Sequence, residues 1–326
     1  MKAWLLKQTG GLDQLHIADV DDPIPAAGEA LVAIELAALN PADRYLAEGQ
    51  YPARPKMPHI LGRDGLGKII SLGPGVTQFK PGDRAIVLRS EIGVNRSGTF
   101  AEKVAVPVES LVAIPQDWTD EQAAGAALVY LTAYQALTQW GQLPPSTVLI
   151  TGASGGVGVA TVQLAAAFNH TVIALSRSAP KREKLKQIGA TITLDPTDPQ
   201  WRKQLADRKV DLAIDNIGGP LFNDVLASLG MNGKISVVGR LAGPVPQFNT
   251  ASLFFRLIKI GGVHVGAFTP AESQAAWKQI AQIMAQKNIR PIVDSVFEFS
   301  KLQDAFGRLA AGPMGKVLLR VSPKST

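Results

Sequence analysis

The stretch VLITGASGGVG at residues 148–158 restricts the possible folds more than any other part of this chain. An apolar, β-branched run enters a glycine-rich turn, and the turn opens into VATVQLAAAF, a helical texture. Strand, tight turn and helix in that order make a phosphate cradle. The helix N-terminus offers unpaired N–H groups and the positive end of its dipole, and glycine lets a ligand come close to the backbone. Gly155 stands where the backbone would approach a pyrophosphate, and Gly158 where the helix packs close to the sheet. Ala153, Ser154, Gly156 and Val157 complete the candidate pyrophosphate contacts.

The neighbouring sequence sets this turn inside a larger α/β unit. Strands are predicted at 148–151, 171–176, 192–195, 210–215, 234–238 and 260–265. Helices begin near residues 156, 180, 199, 220 and 250, and a longer one covers 272–287. Strands as apolar as VLIT and VIAL imply a parallel sheet covered on both faces. Before residue 115 the pattern is different: short β-branched runs are punctuated by GPG, KPG and similar turns, the texture of an all-β unit. The tail returns to strand, helix, strand (VDSVFEF, KLQDAFGRLAA, KVLLRV) and has no partners left in the α/β sheet. The expected architecture is a β-rich domain, 1–120 plus 268–326, into which a doubly wound parallel-sheet domain, 121–267, is inserted.

Composition excludes several functions. There is no cysteine, hence no disulfide, no thiolate zinc site and no cysteine nucleophile. The most apolar run, 30–39, is short and carries Glu35, so it reads as a buried strand and not a membrane span. The N-terminal apolar block is too small for a signal peptide, and a soluble, cytoplasmic protein is expected. The net charge of +6 is concentrated: residues 176–209 hold nine Lys/Arg against four Asp/Glu, which accounts for five of the excess charges. So local an excess argues against a nucleic-acid partner and points instead at a nucleotide's ribose.

NAD-selective sites of this kind place an acid at the end of the second strand, about 20 residues beyond the turn. Here that strand ends in ALSRSAPK. Ser176 and Arg177 occupy the place, Lys181 follows one turn into the helix, and the nearest acid along the chain there is Glu183. A 2′-phosphate would gain charge-assisted hydrogen bonds worth about 1.5–3 kcal/mol each. The expected cofactor is therefore NADPH. Asn216 and Gly239 follow the fourth and fifth strands, where open parallel sheets bind their ligands, although Asn216 in DNIGG could equally just shape its turn.

TGASGGVG also fits the turn of short-chain dehydrogenases. That family needs a tyrosine four residues before a lysine, and Tyr45, Tyr51, Tyr130 and Tyr134 all lack one. Over nearly its whole length the chain instead resembles the medium-chain dehydrogenase/reductase superfamily, in its zinc-independent quinone oxidoreductase (zeta-crystallin-like) branch. The resemblance is carried by ALNPADRYLAEGQYP, PHILGRDGLGKIISLGPGVTQFKPGDR, GTFAEKVAVP, LTAYQAL, the AxGGVG turn and DNIGGPLFNDVLASLGMNGKISVVG. It implies a GroES-like β domain split by a Rossmann domain, a cleft between the two, and homodimers joined through the Rossmann sheets.

The resemblance also implies roles. The positions of the zinc ligands in zinc alcohol dehydrogenases fall on Asn40, Arg63 and Leu128, none of which can hold Zn²⁺, so no metal is expected. Asn40 and Thr132 match residues that contact the nicotinamide; Asn40 is otherwise a turn residue before Pro41. Tyr51 matches a tyrosine that lines quinone sites and serves enoyl thioester reductases as proton donor; otherwise it is a packing residue. Arg63 either faces the hydride acceptor or pairs locally with Asp64 or Asp43. His264, Val265, Gly266 and Lys316 close the far side of the cofactor. The implied activity is hydride transfer to a quinone or to an activated C=C of an enone, alkenal or enoyl thioester. A reading of another class is an NADPH-binding structural or RNA-interacting protein with little turnover.

Overall fold

The computed structural model describes residues 1–88, 91–205, 208–244 and 247–322. The chain divides into two compact units. The first comprises Met1–Leu128, Gly266–Ala281 and the chain from Arg290 on; the second comprises Val129–Val265 and Gln282–Ile289. Its boundaries fall at 128/129 and 265/266, where the sequence suggests 120/121 and 267/268, and residues 282–289 go with the second unit.

The punctuated N-terminal sequence forms β1 (Lys2–Leu6), β2 (Leu15–Asp19), β3 (Glu29–Ala38), α1 (Pro41–Ala47), β4 (His59–Ile60), β5 (Gly65–Leu72), β6 (Arg84–Val87), β7 (Lys103–Pro107), β8 (Leu111–Ala113) and α2 (Asp120–Ala124). β3 is buried along nearly its whole length, which accounts for its apolar sequence. Its one interior acid, Glu35, is paired with Arg84.

The second unit begins within α3 (Ala127–Thr138). Its elements are β9 (Thr147–Ile150), α4 (Gly156–Ala167), β10 (Thr171–Leu175), α5 (Ala179–Gln187), β11 (Ile192–Leu194), β12 (Val210–Asp215), α6 (Leu221–Ser228), β13 (Leu229–Val237), α7 (Ala251–Arg256) and β14 (Lys259–Gly262). The strands form one six-stranded sheet, β11-β10-β9-β12-β13-β14, in which every neighbouring pair is parallel. Chain order reverses between β9 and β12, and in such sheets ligands bind beyond the strand ends at that switch point. Two details depart from the sequence reading. The segment from residue 199 forms a 3-10 turn, Trp201–Leu205, because burying Trp201 and Leu205 outweighs helical propensity. The last strand stops at Gly262, and a second 3-10 turn, Val265–Ala267, follows.

The chain then passes through α8 (Pro270–Gln286) to β15 (Val293–Glu298), α9 (Leu302–Ala310) and β16 (Lys316–Arg320). β16 lies antiparallel to β3, with Leu318 opposite Ala38, and β15 lies parallel to β16. The tail thus completes the first unit's seven-stranded sheet, ordered β15-β16-β3-β5-β6-β8 with β7 also on β3. α9 turns Leu302, Ala305 and Phe306 into the same core as Phe100, Val317 and Leu319. No helix among the described residues is long and apolar enough to cross a membrane.

Candidate functional site

The glycine turn sits between β9 and α4. A methyl group on Gly158 would lie 2.3 Å from the Gly152 carbonyl oxygen and 2.6 Å from Ala153 Cα, so only glycine lets the helix come this close. Gly155, the N-cap of α4, is different. A methyl there would meet only the Gly152 oxygen, at 3.5 Å, and open space otherwise. Ser154, Gly155, Gly156 and Val157 are half-buried around that space, while Ala153 is buried beneath it.

At the carboxyl ends of β9 and β12 a buried polar cluster forms. Thr151 Oγ1 donates to Asp215 Oδ1 at 2.7 Å and accepts from the Asn216 N–H at 2.9 Å; Asn216 Nδ2 donates to the Thr151 carbonyl at 2.8 Å. Asp215 Oδ2 and Asn216 Oδ1 are buried and without a hydrogen-bond partner. Buried acceptors of this kind are rare, and two side by side create a demand for donors from a ligand or water. Gly239 closes on this cluster, since a methyl there would fall 2.8 Å from the Asn216 carbonyl oxygen. His264 is exposed, Val265 buried and Gly266 half-buried, just beyond β14. Thr132 is half-buried on α3.

Beyond β10, Ser176 is buried, Arg177 exposed and Lys181 half-buried. Arg177 makes no ion pair among the described residues. An acid counted in the charge of this segment, but not placed at this subsite from the sequence, also stands here. Asp195 follows β11, and Arg182 donates through Nη1 both to the Ser176 carbonyl, at 2.8 Å, and to Asp195 Oδ2, at 3.0 Å. Hydrogen bonds from the Thr197 side chain and backbone, reinforced by Arg182, hold the Asp195 carboxyl below its usual range. Adjacency of the second and third strands in a doubly wound sheet is the signal that could have found it.

The first unit carries a separate buried cluster. Asn40 caps α1, with its N–H donating to Asp43 Oδ2 at 2.9 Å. Arg63 Nε donates to Asp43 Oδ1 at 3.0 Å and its Nη2 to the Ala42 carbonyl at 3.3 Å; Arg63 is only 3% exposed and Asp43 fully buried. Of the two alternatives for Arg63, this is the local pair, and the partner is Asp43. Its guanidinium carbon lies 4.8 Å from the centroid of the half-buried Tyr51 ring. Burial works against the Arg63 charge, yet Asp43 and the Tyr51 side chain outweigh it and raise its pKa. Lys316 Nζ donates to Asn40 Oδ1 at 2.7 Å, the Leu39 carbonyl at 3.0 Å and Asp64 Oδ2 at 3.2 Å. Three ammonium donors meet three acceptors, so in this structure Lys316 serves Asn40 and Asp64 and not a ligand.

Two family descriptions match the chain: "Alcohol dehydrogenase GroES-like domain" over residues 26–116 and "Zinc-binding dehydrogenase" over 156–286. Similar proteins include the human synaptic vesicle membrane protein VAT-1 homolog (31% identical, 99% of this chain and 87% of that one) and the acryloyl-coenzyme A reductase of Metallosphaera sedula (30%, 98% and 99%). The quinone oxidoreductase of Lama guanicoe is 27% identical over 98% of this chain and 97% of its own. Among solved structures, an NAD-dependent alcohol dehydrogenase superimposes with a TM-score of 0.90 (29% identical, 99% and 100% covered). A mycobacterial protein in complex with NADPH superimposes with 0.89 (28%, 98% and 100%). The zinc in the second description does not fit these residues. Arg63 is a cation already paired with Asp43, Asn40 is engaged by Lys316, Leu128 has no donor atom, and among the described residues no three His, Asp or Glu side chains gather in a metal-binding group.

Proposed function

Because the chain belongs to the medium-chain dehydrogenase/reductase superfamily, in its zinc-independent quinone oxidoreductase-like branch, we propose that it uses NADPH to reduce a quinone or an activated C=C acceptor. The observation that carries this reading is the second unit's strand ends: open space at Gly155, two buried acceptors awaiting donors, and a cationic segment where the ribose phosphate belongs. Those features fit a phosphorylated dinucleotide, the ligand of the mycobacterial neighbour.

Gly156 and Val157 would take the pyrophosphate on the N–H groups of the first helical turn, and Gly155, whose own N–H is held by the Gly152 carbonyl, would leave room for its close approach. Ser176, Arg177 and Lys181 would hold the 2′-phosphate, and Asn216 Oδ1 would accept from a ribose hydroxyl or carboxamide N–H. When bound, NADPH supplies hydride from its nicotinamide. In the first unit Asn40, fixed by Lys316, would be the nicotinamide contact, and Tyr51 would be the proton donor to the reduced acceptor. Loss of that proton would leave a phenolate beside the Arg63 guanidinium, whose nearby positive charge would lower the cost of forming it. Arg63 therefore acts through Tyr51. Two copies would join through β14, an edge strand with exposed Ile260 and, nearby, exposed Phe254 and Phe255.

The test follows absorbance at 340 nm with NADPH or NADH against a panel of quinones, enals and crotonyl thioesters. Turnover with NADPH on at least one acceptor, lost in Tyr51→Phe for enals and thioesters, is expected. NADPH binding without turnover on any acceptor would instead favour the structural or RNA-interacting reading.

A further inference from the structure

The expected 2′-phosphate subsite has an acid on its doorstep. Leu175 of β10 is in register with Leu194 of β11, and the Ser176 N–H donates to the Leu194 carbonyl at 3.0 Å. Ser176 and Asp195 therefore leave the sheet side by side, at the interstrand spacing of about 4.8 Å. An unshielded carboxylate there would repel a phosphate and favour a ribose with a free hydroxyl, because acids at strand ends select NAD in just this way.

We infer that Arg182 is a specificity-determining positioning residue: by clamping Asp195 and the Ser176 carbonyl it removes the acid from the phosphate's field and so creates the preference for NADPH. Each half of the clamp has its own consequence. Bonding to Asp195 Oδ2 neutralises the only oxygen of that carboxylate that Thr197 does not hold, since both Thr197 bonds go to Oδ1. Bonding to the Ser176 carbonyl satisfies that oxygen and anchors the backbone that presents Ser176 and Arg177. The Thr197 hydrogen bonds, the largest cause of the lowered Asp195 pKa, do not depend on Arg182, so the carboxylate would keep its charge without the arginine. Arg177, exposed and outside any ion pair among the described residues, is then the direct phosphate ligand, and Arg182 is not.

This inference rests on the NADPH reading above, and its test separates the two. Dissociation constants for NADPH and for NADH are measured by protein fluorescence for wild type, Arg182→Gln, Asp195→Asn and the double variant. Arg182→Gln should weaken NADPH about tenfold or more while changing NADH less than about twofold. Asp195→Asn should leave NADPH binding intact, and the double variant should return to within about threefold of wild type, because with no carboxylate there is nothing to shield. Equal weakening of both cofactors by Arg182→Gln, or a double variant as weak as the single one, would overturn the inference; the latter would make Arg182 a direct phosphate ligand. If Arg182→Gln does not fold, comparing the double variant with Asp195→Asn alone decides the matter: similar NADPH affinities support the clamp, and a weaker double variant refutes it. A wild type that binds NADH as tightly as NADPH would instead remove the NADPH reading itself.

Discussion

Breaking a buried ion pair from one side leaves the other charge stranded, commonly at a cost of about 3–5 kcal/mol. Arg63 and Asp43 form such a pair, 3% and 0% exposed. Arg63→Ala is therefore expected to lower the denaturation midpoint of the protein markedly, whatever it does to turnover. Removing both charges together, as Arg63→Leu with Asp43→Leu, should recover most of that stability while still reducing enal turnover, because Tyr51 would lose the cation over its ring. A chemical denaturation series paired with initial rates checks this; a double variant with full activity would show that Arg63 is structural only. Lys316 teaches the same lesson at a second residue. Its charge is buried because its donors reach Asn40, Leu39 and Asp64, and nothing in KVLLRV announces that.

At the scale of elements, the β9–α4 turn holds two glycines with opposite requirements. Gly158→Ala would force a methyl into backbone atoms on the turn, which cannot yield cheaply, so destabilisation of about 1–3 kcal/mol is expected even without cofactor. Gly155→Ala meets open space, so the melting temperature should hardly change while NADPH affinity falls about tenfold or more. Thermal melts and cofactor titrations of the two variants separate packing from binding, and a Gly155→Ala protein that binds NADPH normally would move the pyrophosphate elsewhere. The alternation of strands and helices from β9 onward was readable in the sequence because side-chain periodicity is local. The segment at 201–205 was not, since the burial of Trp201 and Leu205 depends on neighbours far along the chain.

At the scale of the whole molecule, β14 leaves one edge of the six-stranded sheet open, and Phe254, Phe255, Leu257 and Ile260 are exposed around it. An open edge beside apolar side chains favours pairing with another copy. Phe255→Glu combined with Ile260→Lys should convert a dimer to a monomer in light scattering, and a wild type that is already monomeric would remove that proposal. The amino-acid order alone determined the two textures, the glycine turn and its helix, and the cationic end of the second strand, because each is written in residues near one another in the chain. Which charges meet was decided only by the tertiary structure. Arg63 finds Asp43 across 20 residues, Lys316 finds Asp64 across 252, and Arg182 reaches Asp195 because β10 and β11 lie side by side. Such pairings depend on strand order and register, and only folding brings those groups within hydrogen-bonding distance.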